Sequence, residues 1–516
     1  MIFVDITSPG EHGVVKDLSP DAYRQVPPNV WTDARGVAFE EGVVLKARGL
    51  EVAFNTQVEP LEVMFVPGTV VSHCIYADRA GIYARDVDGN EGNITRISGP
   101  YTGEIGDRWH LADFNGVPIF NNGVDPPQAW LDQDVSVKLV DLPNWPSGTT
   151  ARALRPFKYH LVALNVKKAS GTFPRMVKWS HTADPGTVPA SWNETDPSVD
   201  AGEVVLVPGS DALVDCLPLG DTNILYGETS TWAMRYVGGM SVFGFSQVSN
   251  TSGIISLGAV ADIGTGHFVV TDNDIVLLTS GGVQSIATPK VRSWFFRNLR
   301  SQGRYRVCVV PNRLAREVWV LFPTGGTELD TALVWNWAYN TWAVRSLAGV
   351  MGAAALGVSR SVSDRWSGSG SGSWDSSSRD KWDMGATTSQ EVIGSLMLAC
   401  ADKTIKRPSK TTGEAYSMLE RKWLSIDPPP RVKRLMAIWP RIEAPTPASF
   451  LVTVRGRMHL SDENGPVAQG AFTSTDKKVD LYVTGRFFDV RFEHNGTGDW
   501  TLHGYALELA EDLGWL

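Results

Sequence analysis

Cysteine is scarce in this chain: four in 516 residues, at Cys74, Cys216, Cys308 and Cys400, with no CxxC pair. That spacing argues against a disulfide framework or a zinc site. It suits free thiols buried in apolar surroundings and synthesis in a reducing cytoplasm. Also missing is any apolar run near the ~20 residues that a membrane-spanning helix needs. The opening residues Met1 to Asp5 place an acid within five positions and no basic segment ahead of an apolar one, so no secretory signal is expected. Nor is there a basic excess. Formal net charge is −9, whereas proteins that grip nucleic acid draw most of their affinity from neutralising phosphates. An acidic balance lets an anionic polymer pass without sticking, and it serves solubility equally well.

Signatures of catalysis are absent too. The chain has no GxSxG elbow, no HExxH, no P-loop and no GxGxxG leading from a strand into a helix. Its nine histidines never fall at the i, i+4 spacing of metal ligands on a helix. No metal, cofactor or catalytic residue is therefore expected, and the chain reads as a non-enzyme. The most tempting carboxylate pair is Asp375 and Asp383, each following a tryptophan that could stack a sugar ring. Both sit in a Ser/Gly stretch, a poor platform for holding catalytic groups in place.

What is abundant is glycine, proline and tryptophan, at 50, 30 and 19 residues. Glycine and proline punctuate short alternating runs such as Val318 to Phe322 and Phe488 to Glu493. In the second run Phe488, Val490 and Phe492 are expected to face a core, with Asp489, Arg491 and Glu493 facing water. Many short strands with frequent turns predict an all-β protein, and radial repetition lets a β-propeller reach this length. Tryptophans recur near turns. The segment Val334 to Trp342 reads as a strand, a tight turn through Tyr339-Asn340-Thr341 and a returning strand, and the neighbourhoods of Trp109 and Trp179 look similar.

Trp366, Trp374 and Trp382 form a separate series, eight residues apart in a Gly/Ser-rich stretch. Composition alone would make this a flexible linker. Evenly placed tryptophans point instead to an ordered surface loop used for contacts. The rigid run Ile426 to Pro430 suggests a boundary, followed by five strand candidates: 434–439, 450–454, 478–483, 487–492 and 505–509. The expected organisation is an N-terminal arm and hairpin over 1–50, a β-propeller over 51–425 including a Gly/Ser/Trp loop at 361–385, and a small antiparallel β-sandwich over 426–516.

One stretch mixes charge with aromatics. Residues 292–306 hold five arginines beside Trp294, Phe295, Phe296 and Tyr305. Such a surface can stack single-stranded nucleic acid or form a subunit interface, where arginine and aromatics are enriched. With the three spaced tryptophans, Arg292, Arg297 and Arg300 make up the candidate interface set.

Several segments also share an order with a known family. They are Val26-Pro27-Pro28 followed by Asn29 to Phe39 and the Glu41-Gly42 turn, then Asn122-Gly123-Val124-Asp125-Pro126-Pro127. Trp179 to Gly186 and the pair of strands within Gly485 to Trp500 follow. In this order they resemble the tail nozzle, or tail tubular, proteins of short-tailed bacteriophages. The resemblance departs at Phe114-Asn115-Gly116, where Asn115 interrupts the family's Phe-Gly. It implies a structural virion protein made in the host cytoplasm, copied six times around a channel for DNA ejection. It further implies docking on the adaptor ring, attachment of tail fibres or spikes, passage of double-stranded DNA without specific binding, and no catalytic residues. The alternatives are a carbohydrate-binding or carbohydrate-degrading propeller used in host recognition, and a kelch-like scaffold.

Overall fold

The Asn115-Gly116 dipeptide explains much of the local architecture. Both residues have positive φ (53° and 88°), the two-residue turn whose twist matches that of the strands it joins. It connects His110–Phe114 to Val117–Asn121 in perfect antiparallel register, from Phe114↔Val117 to His110↔Asn121. The inserted asparagine is thus part of the turn itself. A Cβ on Gly116 would meet nothing within 4 Å, so only backbone strain opposes it. Gly116→Ala is expected to lower stability by about 1–2 kcal/mol in urea denaturation, the cost of a left-handed L-residue. An unchanged midpoint would contradict this reading of the turn.

The fold is a computed structural model that describes residues 2–67, 72–207, 211–355, 396–426, 431–445 and 447–510. It is an all-β fold of the β-propeller class, and the helices among the described residues are short. Contacts divide the chain into two units. One comprises Met1–Ala53, Ile263–Gly349 and Lys406–Leu516; the other comprises Phe54–Asp262 and Val350–Ile405.

The second unit contains four consecutive four-stranded antiparallel sheets, which are propeller blades. The first runs Glu62–Val66, His73–Ala77, Ile82–Asp86, Glu91–Asn93. The second runs His110–Phe114, Val117–Asn121, Gln128–Ala129, Val140–Asp141. In the third are Thr150–Phe157, His160–Lys168, Gly171–Trp179 and Gly202–Val205. The fourth has Leu213–Leu219, Thr222–Gly227, Thr231–Tyr236 and Phe243–Ser249. Alternate side chains of one strand project to opposite faces, so a blade must be apolar on both. The His160–Lys168 strand does this. Leu161 and Ala163 enter the core shared with the second blade, and Val162 and Leu164 enter the core shared with the fourth. Trp109 packs between the first and second blades, and Trp179 between the third and fourth. Each indole N–H is satisfied locally, donating to Asp78 O (3.2 Å) and Asp200 O (2.8 Å) respectively. Cys216 is fully buried in the second of these cores, its thiol pushed up to about 12 by burial.

The first unit holds two larger sheets and three strands of a further four-stranded sheet, His267–Val270, Ile275–Thr279 and Gly282–Ser285. A nine-stranded sheet orders its strands as Cys308–Asn312, Glu317–Phe322, Thr331–Asn336, Thr341–Ser346, Asp33–Arg35, Tyr416–Leu424, Phe487–Asn495, Ser449–Arg457 and Val467–Thr473. A six-stranded sheet contains Val37–Glu40, Val43–Lys46, Thr501–Leu509, Lys433–Glu443 and Val479–Gly485, with Ile2–Thr7 along Thr501–Leu509. The two sheets face each other as a sandwich, with Phe492 edge-on to Tyr505 at 5.2 Å and Phe450 edge-on to Trp500 at 5.6 Å. Trp335 pairs across its hairpin with Trp342 and donates to Asn340 Oδ1 at 3.1 Å. The turn there is Trp337 to Asn340, closed by Asn340 at a φ of 53°, and Thr341 already belongs to the returning strand.

Two expectations need correction. Asp489 does not face water. It is buried and ion-paired to Arg457 at 2.6 Å, because a carboxylate inside a sandwich must be matched by a cation. The C-terminal segment also has a sixth strand, Val467–Thr473, whose Ala, Gln and Gly residues carry little apolar alternation. The three tryptophans Trp366, Trp374 and Trp382 lie outside the described residues.

Candidate functional site

The arginine–aromatic stretch forms a helix, Arg292–Asn298, that the local sequence alone would not start. Val291 at its N-cap carries no side-chain oxygen. The capping group comes from far away in sequence: Asp17 accepts from the amides of Ser293 (2.5 Å) and Trp294 (2.8 Å), filling two positions that a helix N-terminus leaves open. Phe295 anchors the helix inward, edge-on to Phe322 at 4.7 Å and to Phe296 at 4.9 Å. The Lys16 ammonium sits over the Trp294 ring at 4.7 Å and is ion-paired to Asp33 at 2.6 Å.

With its aromatic face spent on the core, the helix turns its arginines toward a cavity of about 490 Å³. Arg292 and Arg297 line it, joined by Arg304, Phe296, Asp272 and Asn273. Arg292 Nε donates to Asn273 O at 2.6 Å, and Arg304 Nη2 donates to Asp272 O at 2.7 Å while pairing with its carboxylate at 2.9 Å. Arg297 is exposed and has no hydrogen-bond or ion-pair partner among the described residues. Three guanidinium groups thus face one carboxylate on the cavity wall, with Asp274 behind Arg292 at 3.8 Å, a locally positive concavity on an acidic chain.

Of the candidates read from sequence, Arg292 and Arg297 come together here. Arg300 does not line the cavity; it donates to Gly325 O (2.6 Å) and Gln302 Oε1 (3.2 Å) and serves the adjoining loop. Arg304 lies inside the arginine-rich stretch but outside the candidate set, and the structure adds it. Asp272 and Asn273 follow the His267–Val270 strand and carry no local signal linking them to the helix. Chemically the site holds planar cations and one half-buried aromatic ring, suited to an acidic or planar partner. It presents no histidine or thiol on its wall. Among the described residues, no three His, Cys, Asp or Glu side chains group closely enough to hold a metal.

A second concavity, about 560 Å³, lies beside Trp179 and Phe243 with Glu194, Asp200 and Glu203 on its wall. Its acids are partly committed. The fully buried Lys178 ammonium bonds Glu194 at 2.6 Å and Glu203 at 3.0 Å. Burial alone would raise the pKa of Glu194, but those bonds outweigh it and hold the group below the usual carboxylate range.

No protein-family model matches the chain, and no curated protein does. Solved structures with some similarity include PorZ of Porphyromonas gingivalis, an essential bacterial surface component of the type-IX secretion system. Identity there is 6 %, with 84 % of this chain and 46 % of that one covered and a TM-score of 0.34, so the chain spans less than half of PorZ. The WD40 domain of Neurospora crassa Pan2 aligns at 8 % identity over 69 % of this chain and 91 % of that one, TM-score 0.36. The WD40 domain of Toxoplasma gondii coronin aligns at 8 % over 70 % and 86 %, TM-score 0.38.

Proposed function

We propose that the chain is a structural protein of the distal tail, the nozzle, of a short-tailed phage. Copies close into a hexameric ring through which DNA leaves the particle, with the adaptor ring on one side and fibres or spikes attached outside. The observation that carries this reading is the order of the segments from Val26-Pro27-Pro28 through Asn122 to Pro127 and Trp179 to Gly186 to Gly485–Trp500. Two physical features support it. The net charge of −9 suits a conduit that must not retain DNA. The cavity of Arg292, Arg297 and Arg304 supplies a cationic surface of the kind enriched at subunit contacts, and a ring needs two different faces of each copy to meet.

Cross-linking of intact particles tests the ring: a ladder ending at six copies is expected, and a single uncross-linked band would contradict it. Arg297→Glu reverses the one cavity arginine without a partner. It should weaken the contact by about tenfold, roughly 1.4 kcal/mol, and reduce the upper rungs of the ladder. An unchanged ladder would remove this cavity from the interface.

A further inference from the structure

A third cavity, of about 290 Å³, lies wholly within the sandwich-bearing unit and is absorbed by none of the roles above. Its wall combines Glu40, Asn312, Glu317, Arg345 and Trp500 with the Arg48–Asp499 ion pair, which closes at 2.7 Å. Lys46 lines it too, its ammonium already bonded to His494 Nδ1 at 2.7 Å and to Gly496 O.

Hydrogen-bonding capacity in this wall is left unspent. Arg345 is 5 % exposed; its Nη1 donates to Arg48 O (2.9 Å) and Glu414 Oε1 (3.2 Å), but its Nε has no partner. The Trp500 indole N–H, also buried, has none either. Among the described residues the Glu40 carboxyl and the buried Asn312 amide have no partner. Glu317 uses one oxygen to accept from Trp319 Nε1 at 3.0 Å. Burial, then the nearby Glu317 and Glu41, raise the pKa of Glu40, so its carboxyl keeps a proton more readily than an exposed one. Buried polar groups left without partners are costly, and two of them, Arg345 Nε and the Trp500 indole N–H, on one cavity wall beside the uncommitted Glu40 carboxyl and Asn312 amide mark a place for a partner.

Charge and size define that partner. Three acids (Glu40, Glu317, Asp499) face three bases (Lys46, Arg48, Arg345), so neither a phosphate nor a metal cation meets a favourable net field. Hydroxyl groups suit the wall, because each can donate to a carboxylate and accept from an N–H. The volume lies at the small end of ligand pockets, about 300–1,000 Å³. We propose that this cavity binds a neutral, polyhydroxylated ligand of the size of one sugar residue. The site is independent of the nozzle reading and stands whether or not that reading holds.

Saturation-transfer NMR on the full-length chain with glucose, galactose, mannose and N-acetylglucosamine tests it. At least one sugar is expected to receive saturation, and excess inorganic phosphate or calcium chloride is expected to leave the signal unchanged. Glu40→Gln and Asn312→Ala change groups that no other residue depends on, and each should weaken binding by about tenfold while near-UV circular dichroism stays as in the parent. No transfer to any of the four sugars overturns the proposal. So does displacement by phosphate or calcium, or transfer that survives in both folded variants.

Discussion

Replacing Asp215 by alanine is expected to lower the stability of the blade-bearing unit by about 2–4 kcal/mol, because it leaves a largely buried guanidinium, 19 % exposed, without its counter-charge. Asp215 is 1 % exposed and receives a bidentate grip from Arg155, Nε at 2.8 Å and Nη2 at 2.9 Å. The remaining arginine nitrogen, Nη1, donates to Leu111 O at 3.0 Å. One side chain of the third blade therefore bonds the second and the fourth at once. Burial opposes the Asp215 charge, but Arg155 prevails and holds the carboxyl below its ordinary range. The first two blades use the same device, with Arg108 gripping Glu62 at 2.6 and 2.9 Å. Joint replacement, Arg155→Met with Asp215→Leu, should recover most of the loss, since removing both charges leaves nothing unpaired. Urea denaturation followed by tryptophan fluorescence checks both variants. A loss under about 1 kcal/mol for the single change would mean that blade packing, and not this pair, holds the sheets in place.

Acid should act on the same unit well before the carboxylates titrate. Burial foremost, and the neighbouring Arg155 charge, push the pKa of His110 down to about 3. Its Nε2 accepts from the Leu154 amide at 3.1 Å, so protonation there would set a donor against a donor. The unfolded imidazole titrates near 6.5. As pH falls below that value the unfolded state takes up a proton that the folded state refuses, and stability declines until about pH 3 is reached. The slope from one such group is at most about 1.4 kcal/mol per pH unit, or about 3 kcal/mol between pH 6.5 and 4. His73 and His160, whose pKa values burial also lowers, add in the same direction. Asp215 acts later, because a depressed carboxyl pKa withdraws its stabilisation only as pH falls below about 3.9. Stability measured by urea at pH 7, 5 and 4 should therefore fall steadily. His110→Gln, which keeps an acceptor for the Leu154 amide, should fall less. Equal slopes for the two proteins would contradict a neutral, buried His110.

The sequence shows its architecture most clearly at the turns. Asn115-Gly116 and Asn340 specify left-handed positions that only a few residue types fill cheaply, and Trp109 and Trp179 mark strand ends where a wide, flat side chain fills the core shared by two adjacent blades. Those signals are local, so they survive without a fold to interpret them. Ion pairing is not local. By alternation Asp489 is a solvent-facing position; Arg457 on the adjacent strand and the Trp423 amide, which donates to its other oxygen at 3.0 Å, make its burial tolerable. The arginine cavity was half legible. Arg292 and Arg297 share a helix, but the Asp17 cap of that helix and the Asp272 on the cavity wall arrive through tertiary folding. Nothing in the sequence marked the third cavity, whose groups run from Glu40 to Trp500 and meet only when the chain's two ends share the same pair of sheets.

The nozzle assignment is tested most directly by locating the protein on the particle. Tailed particles labelled with gold-conjugated antibody against this chain should carry gold at the distal end of the tail in negative-stain micrographs. Gold confined to capsids, or antigen found only in the soluble fraction with the tails unlabelled, would contradict it.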